Sequence, residues 1–387
     1  MTSQPIDPAN VPAELMALRE EIDLIDNQIL DLLSQRKDVV RKVAHVKRDH
    51  QLKVRDRTRE SSLLEARRNR CEHLGLRKEV IESLYRVVLT ASRDHQASLG
   101  TEVPPDLAQK TVAVIGGHGG MGNLFANLFK DLGQEVLIAD LDTTLTPVEA
   151  AKAGDVVLVS VPMGATTQLI EEIGPHVRED SLFSDLTSIK TGPIAAMCAA
   201  SKSDVIGLHP MFGPGVHTLQ EQRVVFVEGR LRENSPWPDW LRTCLLARGF
   251  SLLDSTAENH DRSMAIVQVL THFSTEVLGL AMARSGVPVA QTLEFASPVY
   301  LIELVMTARH FCQSAELYGE IHLANPNGKE IVRAFSESLQ SWRDAVEAGD
   351  LVAFERLFEE THAFFGEHSE EAMEQSSYLI DRFIERR

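Results

Sequence analysis

Gly117, Gly119 and Gly122 stand in GGHGGMG with the spacing G-x-G-x-x-G. Glycines so spaced let a backbone turn tightly and approach a pyrophosphate at a helix N-terminus. Met121 lies inside the same loop. Asp140 ends the next apolar run, where a carboxylate accepts from a ribose 2′-hydroxyl and repels a 2′-phosphate. That pairing points to NAD rather than NADP. Ser160 and Pro162, in SVP after another apolar run, mark a second loop at the same edge. Ser188 and Lys190 in DLTSIK, and His209 in GLHPMFGPG, also follow strand-like runs. All of them gather where the carboxyl ends of parallel strands form a ligand crevice. A histidine there suits removal of a proton from a hydroxyl that is being oxidised.

A second set of chemical residues precedes these. Leu15, Leu18, Ile22, Ile25, Ile29 and Leu32 repeat every three and four residues, a heptad seam on one long helix. Continuing the count puts Arg36 on the seam, ahead of Val39, Val43 and Val46. A cation on an apolar seam is costly unless paired, and an anionic ligand would resolve the cost. Lys47 lies about 20° round the helix from Arg36 and roughly 16 Å along it, so two long side chains can converge on a small dianion. Arg19 is roughly 25 Å from Arg36 and on another face, so only a second chain could bring an equivalent arginine to the same site. Asp56, Arg59 and Glu60 follow in VRDRTRE, and Ser92 and Gln96 share a helix face at i, i+4.

The elements that must position these residues fall into three segments. Helical periodicity covers residues 12–98, with Gly75 punctuating between a second helix and a third. A turn-rich linker, 99–109, leads into alternating strands and helices over 110–236, a doubly wound parallel pattern. Strand candidates are TVAVIG, EVLIAD, DVVLVSVP, SLFSDL, DVIGLH and RVVFVEG. From 237 to 387 the strands stop and helices continue. The expected fold is therefore multidomain: all-α, then α/β Rossmann-like, then all-α.

Composition narrows the chemistry. The 387 residues carry a net charge of -17, which argues against general nucleic-acid binding. Four separated cysteines form no CxxC pair, consistent with reduced thiols in a cytoplasmic protein and offering no metal site. The polar start is not a signal peptide, and no apolar run is expected to reach the roughly 20 residues that span a bilayer.

GGHGGMG, DLTSIK, LHPMFGP and NHDRSMAIVQVLTHF resemble prephenate dehydrogenase over roughly residues 108–387. The resemblance implies that His209 accepts a hydrogen bond from the ring hydroxyl of prephenate, supported by Ser188. It places Arg309 on the substrate, with Lys190, His260 and His272 near the pocket. It also implies a helical C-terminal domain that dimerises. One departure is Leu301, where related sequences can carry a basic residue. The set Arg19, Arg36, Lys47, Asp56, Arg59, Glu60, Ser92 and Gln96 resembles the all-helical chorismate mutases over residues 12–98. There the resemblance implies a site shared between two chains, with Lys47 and Gln96 donating to the ether oxygen of chorismate. Together the segments resemble the bifunctional chorismate mutase/prephenate dehydrogenases of tyrosine biosynthesis, and the resemblance carries tyrosine inhibition as an expectation. Two other readings stay open: arogenate as the substrate of the oxidation, and an NAD-dependent sensor whose helical segment is only a dimerisation arm.

Overall fold

Alternate residues of each central strand enter two different apolar layers. Val112 and Val114 pack with Phe125, Phe129 and Trp240 on one face, while Ala113 and Ile115 pack with Ala150, Ile170 and Ile173 on the other. Both faces being covered explains why these strands read as continuous apolar runs. The computed structural model describes residues 12–50, 56–98, 103–216 and 218–384. Of the expected linker, 99–102 lie outside the described residues.

The first segment holds α1 (Ala13–Asp49), α2 (Arg57–Glu72) and α3 (Lys78–Ser98). Asp56 caps α2 by accepting from the Arg59 amide at 2.9 Å, and Gly75 turns between α2 and α3 with φ 67. The sheet segment runs β1 (Thr111–Ile115), α4 (Gly120–Asp131), β2 (Glu135–Ala139), α5 (Pro147–Ala153), β3 (Val156–Val159), α6 (Met163–Ile173), β4 (Leu182–Asp185), α7 (Thr191–Ala200), β5 (Asp204–Pro210), β6 (Arg223–Glu228), α8 (Trp237–Ala247) and β7 (Ser251–Ser255). Strand order is β2-β1-β3-β4-β5-β6-β7. The topological switch lies between β1 and β3, and the crevice at their carboxyl ends holds the glycine loop.

Two features of this sheet differ from the sequence reading. β6 is antiparallel to β5, because no crossover helix separates them and a parallel return needs one. The sheet also does not end at 236. α8 packs its tryptophans into the core and β7 pairs parallel with β6. β7 escaped notice because it is a half-exposed edge strand carrying Asp254, with Leu253 turned outward.

The last segment is α9 (Ala257–Met264), a π-helical stretch (Ala265–Leu270), α10 (Thr271–Arg284), α11 (Val289–Glu294), α12 (Pro298–Phe311), α13 (Ala315–Ala324), α14 (Gly328–Ala348), α15 (Leu351–Phe365) and α16 (His368–Ile384). The continuous helix Ala257–Arg284, 28 residues long, contains an 18-residue window of mean hydropathy 1.3 and so is long and apolar enough to cross a membrane by length and composition alone. That corrects the expectation of no such run. Counting consecutive apolar residues missed it because Gln268, His272 and Glu276 interrupt the run without lowering the average enough. Buried His260, Asp261, Met264 and Val269 on this helix pack against the rest of the protein.

The glycine loop is tighter than its motif. Gly116, one residue before the expected pattern, takes φ +83, and a Cβ there would meet the Ser160 carbonyl oxygen at 2.4 Å. A Cβ on Gly122 would meet the Gly116 oxygen at 2.1 Å. Only glycine at both positions lets the loop close on α4 and on the SVP loop.

Two candidate active sites

His209 lies on β5 at the carboxyl edge and is 3% exposed. Its Nδ1 is 2.8 Å from Nε2 of His260, and Nδ1 of His260 is 2.8 Å from Oδ1 of Asp261. Burial disfavours the charge on Asp261, but hydrogen bonds from His260, Thr191 and Lys190 outweigh it and hold the carboxyl below its usual range. An ionised carboxylate only accepts, so His260 Nδ1 carries a proton. A neutral His260 then offers Nε2 as acceptor to the Nδ1 proton of His209. The relay leaves the lone pair of His209 on Nε2, on the side where Gln268 Nε2 stands at 3.4 Å. Burial is the largest cause that pushes His209 well below the usual histidine range, and any positive charge on His260 or Lys190 would add to it. Near neutral pH this ring is a neutral imidazole whose basic nitrogen is aimed in a fixed direction.

One expected residue is engaged elsewhere, and another is not hydrogen-bonded to His209. Lys190 is fully buried; its ammonium is hydrogen-bonded to Asp185 and, at 2.8 Å, to the Leu208 carbonyl oxygen. It braces β5 one residue before His209 and presents no open cation to a substrate. Ser188 is half-buried in the turn after β4 and makes no hydrogen bond to His209, whose ring partners are His260 and Gln268. His272 lies one turn beyond Gln268 and packs on Tyr318, with ring centroids 4.7 Å apart. Burial, then the charges of His310 and His322, push it down to about 4. Arg309 is exposed on α12, whereas Leu301 is buried on that helix. Asp261, Gln268, Asp185, Tyr318, Glu276, His310 and His322 were missed by the sequence reading. The only available signal was Asp261 standing next to His260 in NHDRSM.

The crevice residues fit a dinucleotide. Gly119 precedes α4 as its N-cap, so the first amides of that helix face the crevice. Asp140 accepts from the His118 amide at 2.8 Å, which sets its carboxylate beside the glycine loop. Met121 is half-buried there. Ser160 donates its amide to the Ile115 carbonyl at 2.8 Å, and Pro162 opens α6, so both close the second loop of the crevice.

In the helical segment, Arg36 donates to the Ser92 hydroxyl, and Gln96 Nε2 donates to the Ser92 carbonyl at 3.3 Å. Gln96 Oε1 is buried without a partner, a polar atom left for a ligand. A half-turn of that amide would present its N–H groups instead. Arg93, which the sequence reading passed over, donates to Glu60 at 2.7 Å and ties α2 to α3. Lys47 is half-buried on α1, Asp56 and Arg59 sit at the start of α2, and Arg19 is exposed far along α1. Ile22, Ile25 and Ile29 on the seam are about half exposed, at 56%, 50% and 48%, in a single chain.

Residues 18–97 match the family model of chorismate mutase type II. Residues 131–230 match the nucleotide-binding domain of prephenate dehydrogenase, and 256–360 match its dimerization domain. The T-protein of Haemophilus influenzae is 32% identical over 95% of this chain and 97% of its own. The T-protein of Enterobacter agglomerans is 34% identical over 95% of this chain and 97% of its own. The chain belongs to the T-protein family. It is a bifunctional chorismate mutase and NAD-dependent prephenate dehydrogenase of tyrosine biosynthesis. A solved prephenate dehydrogenase from A. aeolicus, in complex with hydroxyphenyl propionate and NAD+, has the same fold with a TM-score of 0.53. It is 17% identical and covers 67% of this chain and 99% of that one.

Removing Lys190 strands a buried charge. Lys190→Met should cost about 3–5 kcal/mol, because Asp185 loses its counter-ion in a dry site. Urea unfolding of Lys190→Met and of Lys190→Met/Asp185→Asn checks this, the second variant recovering a good part of the loss.

Proposed function

We propose that the buried Asp261–His260–His209 relay is the proton-accepting apparatus of the oxidation, and that Arg36, Ser92 and Gln96 form the core of the mutase site. The observation that carries the first assignment is the fixed lone pair on His209 Nε2 at the crevice edge. NAD, held at the glycine loop beside Asp140, would supply the acceptor for the hydride of the ring carbon bearing the hydroxyl. His209 takes the hydroxyl proton, and the carbonyl so formed is conjugated with the ring. The bond to the ring carboxylate then breaks, its electrons move into the ring, and CO2 leaves. His209 returns the proton to the phenolic oxygen of 4-hydroxyphenylpyruvate. Asp261 keeps the relay polarised throughout without taking the proton. Arg309, exposed on α12, is the cation available to a substrate carboxylate.

The mutase reaction is a pericyclic rearrangement and needs neither base nor nucleophile. What helps is holding the reactive conformer and stabilising charge on the breaking ether bond. Arg36 is placed for a carboxylate. Lys47 and Gln96 supply the donors, Gln96 after the half-turn described above. Glu60, held by Arg93, and the Asp56–Arg59 cap line the α2 side. The uncovered seam of α1 supports a homodimer in which the second chain brings its Arg19 to this site.

A paired assay tests the division of labour. His209→Asn should reduce NADH formation from prephenate by at least 10²-fold, as expected for loss of a general base, and leave chorismate loss nearly intact. Arg36→Ala should do the reverse; one substitution abolishing both activities in a folded protein would refute two separate sites.

Mixing Arg19→Ala with Arg36→Ala chains should restore part of the mutase activity through hybrid dimers. No recovery after verified subunit exchange would sink the shared site.

The relay also fixes a pH response. His209 must be neutral to act, and its value is depressed, so kcat/KM for prephenate should stay level as pH falls through 6.5 and drop only further down. Stability has the same sign. His272 is held neutral down to about 4, so between pH 6.5 and about 4 the unfolded chain binds protons the folded one refuses. Stability is then complete above 6.5 and declines as pH falls. A pH series of kcat/KM and of unfolding midpoints checks both.

A further inference from the structure

The helix that carries Gln268 acts as a ruler along the substrate. Gln268 stands at His209 Nε2, the proposed seat of the ring hydroxyl. His272 lies one turn further, about 6 Å, and Glu276 about 6 Å beyond that. The hydroxyl and the carbon bearing the side chain occupy opposite ends of the substrate ring, a span comparable to one turn. The side chain therefore falls beside His272 and points toward Glu276. It is also the part in which the two rival substrates differ. Prephenate carries a 2-oxo acid there, and arogenate a 2-amino acid.

A free carboxylate at this place would attract the ammonium of a 2-amino acid, which a 2-oxo acid lacks; the terminal carboxylate is common to both. Glu276 is not free. Its Oε1 is 3.2 Å from His310 Nε2 and 3.1 Å from His322 Nε2, and its Oε2 is 3.1 Å from His322 Nε2. Two N–H donors thus hold it, that of His322 shared between both oxygens, and the carboxylate keeps 30% of its surface exposed. The rings are themselves fixed. His310 stacks on Tyr318 with centroids 3.8 Å apart, and Tyr318 in turn packs on His272. His322 Nδ1 is buried without a partner, so the ring is cheapest as the neutral tautomer that donates from Nε2. Among the described residues no group of three or more His, Cys, Asp or Glu side chains has an arrangement that could hold a metal ion, and the cluster reads as a hydrogen-bonded mask. Arg309 adds its charge close by, near enough to act on Tyr318.

We propose that His310 and His322 sequester Glu276 and so make this pocket select a 2-oxo acid side chain over a 2-amino acid one. His310, His322 and Tyr318 are positioning residues in this account, acting through Glu276. The inference rests on the reading of His209 as the base at the hydroxyl end.

The test is the ratio of kcat/KM for arogenate to kcat/KM for prephenate, with NAD, in the full-length enzyme. His322→Leu frees Oε2, and His310→Phe frees part of Oε1 while keeping the stack on Tyr318. Each should raise the ratio at least tenfold, mainly through a lower KM for arogenate. Adding Glu276→Gln to either should return the ratio to its starting value. The second variant keeps the test open should the first fail to fold. A ratio that moves less than threefold in the folded variants, or one that Glu276→Gln does not restore, overturns the mask. A failure of the underlying reading looks different: His209→Asn would then oxidise prephenate as well as the unsubstituted enzyme does.

Discussion

The carboxylate of Asp261 joins what the rest of the oxidation site depends on. Its two oxygens accept from the amides of Lys190 and Thr191 at 2.8 and 2.9 Å, and from His260. Those amides open α7, so a negative charge sits at the positive end of a helix whose N-terminal donors would otherwise be orphaned. One group therefore docks the C-terminal helices on the sheet and orients the ring next to His209. The Asp261 carbonyl is held in turn by Asn325 at 2.9 Å. Glu320 repeats the device at α6, accepting from the Gly164 amide at 2.9 Å. Two carboxylates from the helical segment thus cap two helices of the sheet segment, and the crevice lies along that seam.

The two sites solve opposite electrostatic problems. As the proposed base of the oxidation, His209 must be neutral, and its burial favours that form. Fully buried Lys190 is spent on Asp185 and a backbone carbonyl. In the mutase nothing titrates during the reaction, so permanent cations serve and burial is unnecessary. In the proposed dimer the cost falls on association instead. A seam of half-exposed isoleucines on α1 is a poor surface for one chain and a good one for two.

Legibility followed burial and sequence distance. β1 to β6 could be read because their residues are apolar on both faces. β7 could not, because an edge strand with Asp254 and an outward Leu253 has no such pattern. The glycine motif was visible, yet the sharpest turn is at Gly116, since G-x-G-x-x-G records spacing and not which residue takes positive φ. His209 was legible from its place after a strand. Its relay was not, because His260 stands 51 residues away and the Asp261 bond to the Lys190 amide spans 71. Lys190 showed why residue type misleads: the sequence presents a cation at a ligand edge, and only the fold shows Asp185 beneath it. The heptad count was the converse case. It located Arg36 on the seam from spacing alone, and Arg36 is the residue that reaches Ser92.

The overall charge of -17 bears on both reactions. Chorismate and prephenate are dianions, so the field of the whole chain opposes their approach. At physiological salt that field fades over about 8 Å, whereas contacts inside a pocket are little screened. Recognition must therefore come from cations at contact range, the role proposed for Arg36 and Arg309. The same argument limits how many stray carboxylates an anion pocket can tolerate. Glu276 beside His272 would be a liability to a dianion if exposed. In the proposed arrangement, hydrogen bonds from two histidines hold its oxygens in the wall, although the group keeps 30% of its surface exposed.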